Sequence, residues 1–165
     1  MKRQQMDKEQ KYIEVSQQVL AVTEGESSLI ARMATVSCLL SEAFDDFFWT
    51  GFYLVDEAKG DELVVGPYQG SLGCLRIAFG RGVCGAAAAH GQTQVVDNVH
   101  DFPGHIACDS RSLSEIVVPV FTPAGKLIAL LDVDSESVAT FDEIDQRYLE
   151  QMMADVFARC TLGSD

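Results

Sequence analysis

The spacing of apolar residues changes twice along the chain, and each change marks a different kind of element. Between Asp7 and about Ala21, Tyr12, Val15, Val19 and Val22 recur every three or four positions among polar neighbours, which predicts an amphipathic helix. Gly25 interrupts the pattern. Ser27 or Ser28 offers a cap for a second helix with the stripe Leu29, Met33, Val36 and Leu40. Cys38 falls among these residues and reads as a small buried hydrophobe. From Trp49 to Val55 the chain turns aromatic and β-rich, and Glu62 to Tyr68 follows after the turn Asp56–Asp61, which predicts a hairpin. Cys74 to Phe79 reads as a third strand with Arg76 on one face, Val83 to His90 as an alanine-rich helix stopped by Gly91, and Thr93 to Val96 as a short strand.

Asn98 to Ser112 is a long polar loop holding His100, Pro103, Gly104, His105 and Cys108, a length that in a small domain points to function. Glu115–Phe121 and Lys126–Val133 are strands joined by Thr122–Gly125. Four residues allow only an antiparallel hairpin there, because a parallel crossover needs a dozen or more. A last helix is expected from Thr140 to about 158, with Glu143 closing a capping box. The order of elements predicts a single α+β domain over residues 1–165. Its central sheet is mostly antiparallel, its N- and C-terminal helices (the first pair over about 7–44) pack on one face, and a loop-covered pocket lies on the other.

Bulk properties narrow the class. A chain of 165 residues with 47% apolar types suits one domain with a real core, and 22% charged residues argue against disorder. No apolar run approaches a membrane span and the first residues carry no signal-peptide core, so the expected compartment is the cytosol. A net charge of −13 repels phosphate backbones and anionic lipid, so no nucleic-acid or membrane partner is expected.

The five cysteines are Cys38, Cys74, Cys84, Cys108 and Cys160. The middle three lie ten and twenty-four residues apart, without the close Cys-x-x-Cys pair usual in structural zinc sites. His90, His100 and His105 lie near enough in sequence to make a mixed site with Cys108 conceivable, but that spacing argues against it and no metal is expected. Thiols gathered in one stretch instead fit two-electron redox chemistry that ends in a disulfide. Cys160 lies near the end of the chain and receives no role.

Gly80-Arg81-Gly82-Val83-Cys84-Gly85 fits G-x-G-x-x-G between a predicted strand and helix, and Asp97 follows the next strand. The preceding strand carries Arg76, and a hairpin rather than βαβ units comes after it. A tight strand-to-helix turn explains the glycines better than a dinucleotide. That turn would set Cys84 near a helix N-terminus, where unpaired N–H groups lower a thiol pKa.

A family resemblance rests on motifs spread over nearly the whole chain. Trp49-Thr50-Gly51-Phe52-Tyr53, Gly66-Pro67-Tyr68-Gln69-Gly70, Cys74-Leu75-Arg76-Ile77, Gly80 to Gly85, Gly104-His105-Ile106-Ala107-Cys108-Asp109, Ser114 to Pro119 and Leu131-Asp132-Val133-Asp134-Ser135 occur in order. Together they resemble the free methionine-(R)-sulfoxide reductases, single-domain enzymes of the GAF fold. The resemblance implies that Cys108 is the nucleophile, that Cys74 closes the disulfide, and that Cys84 is a third, alternative resolving or catalytic, cysteine. It implies that Glu115, Asp132 and Asp134 bind the substrate ammonium and help the sulfoxide oxygen leave, with Trp49 and Tyr53 walling the methyl-sulfur end. It further implies free methionine sulfoxide as substrate, no bound cofactor, thioredoxin as external reductant and room for a homodimer through the N-terminal helices.

The chemistry is coherent without the family. Sulfoxide reduction needs a nucleophile at sulfur and a proton for the departing oxygen. Crowding Glu115, Asp132 and Asp134 in one pocket would raise a carboxyl pKa far enough to hold that proton. Asp132 and Asp134, two apart, share one strand face after the apolar run Leu127–Leu131. A closed acidic end wall suits a free α-ammonium better than a peptide. The residues alone leave open whether Cys74 or Cys84 resolves. A non-catalytic GAF sensor remains the alternative reading, and the cysteine set is surplus to that role.

Overall fold

The structure is a computed structural model that describes residues 7–106 and 108–158. Helix α1 spans Lys8–Val22 and is capped by Asp7, whose carboxylate accepts from the Gln10 N–H at 2.7 Å. Helix α2 spans Leu29–Ala43 behind the Ser28 cap. Strands β1 (Trp49–Val55) and β2 (Glu62–Gln69) form the first hairpin, and β3 (Arg76–Ala78) adds to its edge. Helix α3 (Gly82–His90) and strand β4 (Gln94–Val96) lead into the long loop, where Val99–Asp101 makes one 3-10 turn. Strands β5 (Ser114–Phe121) and β6 (Leu127–Ser135) form the second hairpin, and α4 (Glu143–Phe157) follows.

All six strands pair antiparallel in the order β3-β2-β1-β6-β5-β4, so the two hairpins meet at β1 and β6. Strand alternation divides the side chains between two cores. Phe52, Ile116, Val118, Leu131 and Val133 face α1, α2 and α4 together with Tyr12, Met33, Leu40 and Met152. Trp49, Tyr53, Val117 and Leu130 face the other way and pack with Val83, Cys84, Ala87 and Val99. That parity sends Glu115, Asp132 and Asp134 to the second face. Each large apolar side chain buried this way contributes on the order of 1.5–3 kcal/mol, which offsets the cost of the polar groups beside it.

Several local expectations need correction. The cap of α4 is Asp142, not Thr140: its carboxylate accepts from Ile144 and Asp145, and the Asp145 carboxylate reaches back to the Asp142 N–H at 2.8 Å. Thr140 instead donates its hydroxyl to Ser135 at 2.7 Å. The third strand is shorter than Cys74–Phe79 because Cys74 is held in a disulfide outside the ladder. Val22 is 61% exposed at the end of α1, and Cys38 is half-buried rather than enclosed. Cys160 lies outside the described residues.

Asp145 locks α1 to α4. Fully buried, it accepts from the Tyr12 hydroxyl at 2.6 Å and from Lys8 Nζ at 2.7 Å. These partners satisfy a charge that would otherwise be expensive to bury.

Candidate functional site

A cavity of about 550 Å³, counting its mouth, opens beside α3 beneath the long loop. Trp49, Tyr53, Cys84, Cys108, Glu115, Asp132 and Asp134 all line it. Cys74 is outside the wall but is joined to Cys108 by a disulfide, with Cα atoms 5.4 Å apart. Cys84 is free and buried, whereas Cys108 is exposed at the rim.

The β5–β6 register builds the acidic wall. Glu115 lies opposite Asp134, and Asp132 lies opposite Val117 on one side and Gly51 of β1 on the other. Like charges placed directly across a ladder repel, and burial sharpens the repulsion. Glu115 is 6% and Asp132 5% exposed, and Asp134 is half-buried. Burial first, then Asp132 and Asp134, pushes the Glu115 carboxyl well above its ordinary value. Asp134 is pushed up by burial and then by Asp132, and Asp132 is raised by burial. Among the described residues no ion pair reaches any of the three. Asp132 Oδ1 is buried without a hydrogen-bond donor.

Cys84 behaves opposite to the expectation drawn from its helix position. It lies in the first turn of α3, yet its thiol is raised well above the ordinary value, by burial first and then by Asp132, Glu115 and Asp134. Its Sγ lies 3.8 Å from Glu115 Oε1, a contact in which the thiol donates. Burial first, and then the neighbouring carboxylates, outweigh the partial charge at the start of a nine-residue helix. The glycine run is a packing turn: a Cβ on Gly85 would sit 2.6 Å from the Ala78 carbonyl oxygen, and the Gly80 N–H already donates to Gly85 O.

Trp49 and Tyr53 stack with centroids 5.8 Å apart and form the apolar wall. The Trp49 indole N–H donates to the Ser71 carbonyl at 2.9 Å, and Gly73 leaves the space a Cβ would take 3.0 Å from Trp49 Cζ2. Burial, then Asp132 and Cys84, raises the Tyr53 phenol far above its usual range, so it stays neutral.

The motifs gave no role to the device that brings the two disulfide loops together. Ser71 donates its hydroxyl to Asp109 Oδ2 at 2.7 Å, and Asp109 is also held by Arg111 Nη2 at 2.7 Å. The Arg111 guanidinium in turn lies 4.6 Å over the Phe48 ring. These contacts fix the residue after Cys108 to a loop three residues before Cys74. Asp109 stood inside a quoted motif, but Ser71 had no sequence signal, because its partner is 38 residues away. Arg81, His105 and Ile106 also line the cavity. Burial and then His100 lower the His105 pKa. The weighed mixed site of Cys108 with histidines does not assemble among the described residues; the ligand atoms within 4.8 Å of one another belong to Cys84, Glu115 and Asp132.

Residues 34–157 match the family model described as GAF domain. The chain is 42% identical over 151 residues to a free methionine-R-sulfoxide reductase of Escherichia coli, covering 92% of this chain and 89% of that one. A Saccharomyces cerevisiae protein of the same name is 36% identical over 143 residues, covering 84% and 79%. A crystal structure of a Neisseria meningitidis free methionine-R-sulfoxide reductase in complex with its substrate superposes with a TM-score of 0.87 at 50% identity, covering 92% of this chain and 89% of that one.

Proposed function

Because the chain belongs to the GAF-domain family and, within it, to the free methionine-R-sulfoxide reductases, we propose that it reduces free L-methionine (R)-sulfoxide to methionine through Cys108 and Cys74. The observation that carries this reading is the Cys74–Cys108 disulfide at the rim of a cavity lined by three carboxylates that make no ion pair among the described residues.

The Cys108 thiolate attacks the sulfoxide sulfur. One carboxyl of the cluster gives its proton to the departing oxygen, which passes to Cys108 as sulfenic acid while methionine leaves. Glu115, pushed well above the ordinary range by burial and then by Asp132 and Asp134, is suited to carry that proton. Cys74 then condenses with the sulfenic acid, releasing water and closing the disulfide. A thioredoxin-type dithiol attacks the exposed Cys108 sulfur, and its second thiol resolves the mixed disulfide, leaving both enzyme cysteines reduced. No bound cofactor enters these steps.

Specificity comes from the acidic wall. The α-ammonium of a free amino acid neutralises part of the cluster and donates to Asp132 Oδ1, whereas a peptide nitrogen brings neither charge nor the same donors. Trp49 and Tyr53 hold the methyl-sulfur end against an apolar wall. Ile13 and Leu20, seven apart and exposed on α1, support a homodimer contact there, which light scattering at twice the chain mass would check.

The test is a coupled assay with thioredoxin, its reductase and NADPH. Free methionine (R)-sulfoxide should turn over on the order of 10⁴-fold more efficiently than the same sulfoxide within a peptide, the kind of ratio a site built on buried polar partners delivers. Comparable efficiencies on the two substrates would overturn the reading.

A further inference from the structure

We propose that the acidic cavity is also a binding site for one divalent cation of borderline softness, with Zn²⁺ as the natural example, held by the Cys84 thiolate and the Glu115 and Asp132 carboxylates. The cation and the amino-acid substrate then exclude each other, because they need the same two carboxylates.

The donor set is on three separate elements that the fold already brings together. Ligand atoms of Cys84 on α3, Glu115 on β5 and Asp132 on β6 lie within 4.8 Å of one another, and all three residues are buried. Zinc–sulfur and zinc–oxygen bonds of about 2.3 and ~2.0–2.2 Å put neighbouring ligand atoms roughly 3.5 Å apart. Closing the shell therefore needs a contraction of up to about 1.3 Å between ligand atoms. Cys84 Sγ and Glu115 Oε1, at 3.8 Å, are nearly there.

A second observation points to a cation rather than to a merely acidic wall. Asp132 Oδ1 is buried without a donor, in a residue 5% exposed. Glu115 can supply one while it holds its proton, and a cation fills the same need once that proton is displaced. The basic groups in the wall do not answer this need. Arg81 makes no ion pair among the described residues, and His105 is favoured neutral.

The chemistry of the set selects the ion. Binding breaks the Cys84 S–H bond, forms a sulfur–metal bond and releases the proton to solvent, with no change in oxidation state. A thiolate with two carboxylates suits Zn²⁺ and leaves a fourth position for water. Mg²⁺ prefers six oxygen ligands and dehydrates reluctantly, so it competes poorly here. The metal site rests on the geometry alone, and only the mutual exclusion rests on the reductase reading.

The experiment uses oxidised enzyme, in which Cys74 and Cys108 are joined, carrying Cys38→Ser and Cys160→Ser so that Cys84 is the one remaining thiol. Titration with cobalt chloride should give one Co²⁺ per chain with a thiolate-to-cobalt charge-transfer band. Zinc chloride and free L-methionine should each abolish that band. The band should vanish in Cys84→Ser. In Asp132→Asn it should persist with at least tenfold weaker binding, a readout that survives if Cys84→Ser does not fold. In turnover of the reduced wild type, micromolar Zn²⁺ should raise KM for methionine sulfoxide and leave kcat unchanged once excess substrate displaces it. A missing band, a band that survives Cys84→Ser, or undiminished affinity in Asp132→Asn would overturn the site. Failure of methionine to displace cobalt would overturn the exclusion. A cobalt band in an enzyme that never turns over methionine sulfoxide would sink the reductase reading and leave the metal site standing.

Discussion

At the scale of single residues, the site holds acidic groups at a cost to the free enzyme. Glu115 is buried beside Asp132 and Asp134, and no ion pair among the described residues relieves it. Its folded pKa lies above its unfolded one, so the fold favours the protonated form. The stability contributed by that protonation is complete at low pH and is lost as pH climbs through the raised value. Replacing Glu115 by glutamine removes the charge and keeps the shape. E115Q should therefore melt ~2–4 °C higher than wild type near pH 8, a gain of about 1 kcal/mol, and should lose that advantage near pH 5. Its turnover should fall by ~100-fold or more, the usual cost of losing a general acid. Scanning calorimetry at both pH values, with the coupled assay, checks both signs; a variant that is less stable near pH 8 would mean the carboxylate is better satisfied than it looks. The same residue scale holds a lesson about Cys84. Its place at a helix start is legible and implies a low thiol pKa, but the burial that reverses the shift, and the carboxylates that add to it, come with tertiary packing against β5 and β6, 31 and more residues away.

At the scale of elements, two contacts between distant segments set the geometry. The Ser71–Asp109 hydrogen bond holds the Cys108 loop against the Cys74 loop. Asp109→Ala should leave sulfenic acid formation at its wild-type rate and slow disulfide closure roughly three- to tenfold, the reach of one hydrogen bond of modest net worth. Stopped-flow trapping of the sulfenic acid separates the two steps; equal slowing of both would contradict the positioning role. The second contact is Tyr12 with Asp145 across α1 and α4. Tyr12→Phe keeps the buried ring and removes one hydrogen bond to a charged group. It should cost ~2 kcal/mol and lower the melting temperature by ~4–8 °C without changing KM. A change in KM with unaltered stability would refute it. The elements themselves were largely legible, since strand alternation and helix stripes are local. The ends were less so: the α4 cap moved from Thr140 to Asp142 because Ser135 takes the Thr140 hydroxyl, a partner that exists only once β6 is folded.

At the scale of the whole molecule, the hairpins could be read from the four-residue Thr122–Gly125 connection and from the Asp56–Asp61 turn. Their side-by-side joining through β1 and β6 is a long-range pairing that no spacing specified. It is this pairing that sets Trp49 and Tyr53 beside Asp132 and Asp134. Motif order pointed to residues that the structure gathers around one cavity and implied the Cys74–Cys108 pairing, which the structure contains, while the structure added that Cys84 stays free and buried. The central claim is that one sulfoxide is reduced at the expense of Cys108 and Cys74. Its most direct measurement is a single turnover of fully reduced enzyme with one equivalent of free methionine (R)-sulfoxide, followed by alkylation and peptide mass spectrometry. The account predicts about one methionine formed per chain, two thiols lost, and a peptide joining Cys74 to Cys108 with Cys84 alkylated. Methionine formed with Cys74 and Cys108 both still alkylated, or with Cys84 joined to either, would contradict it.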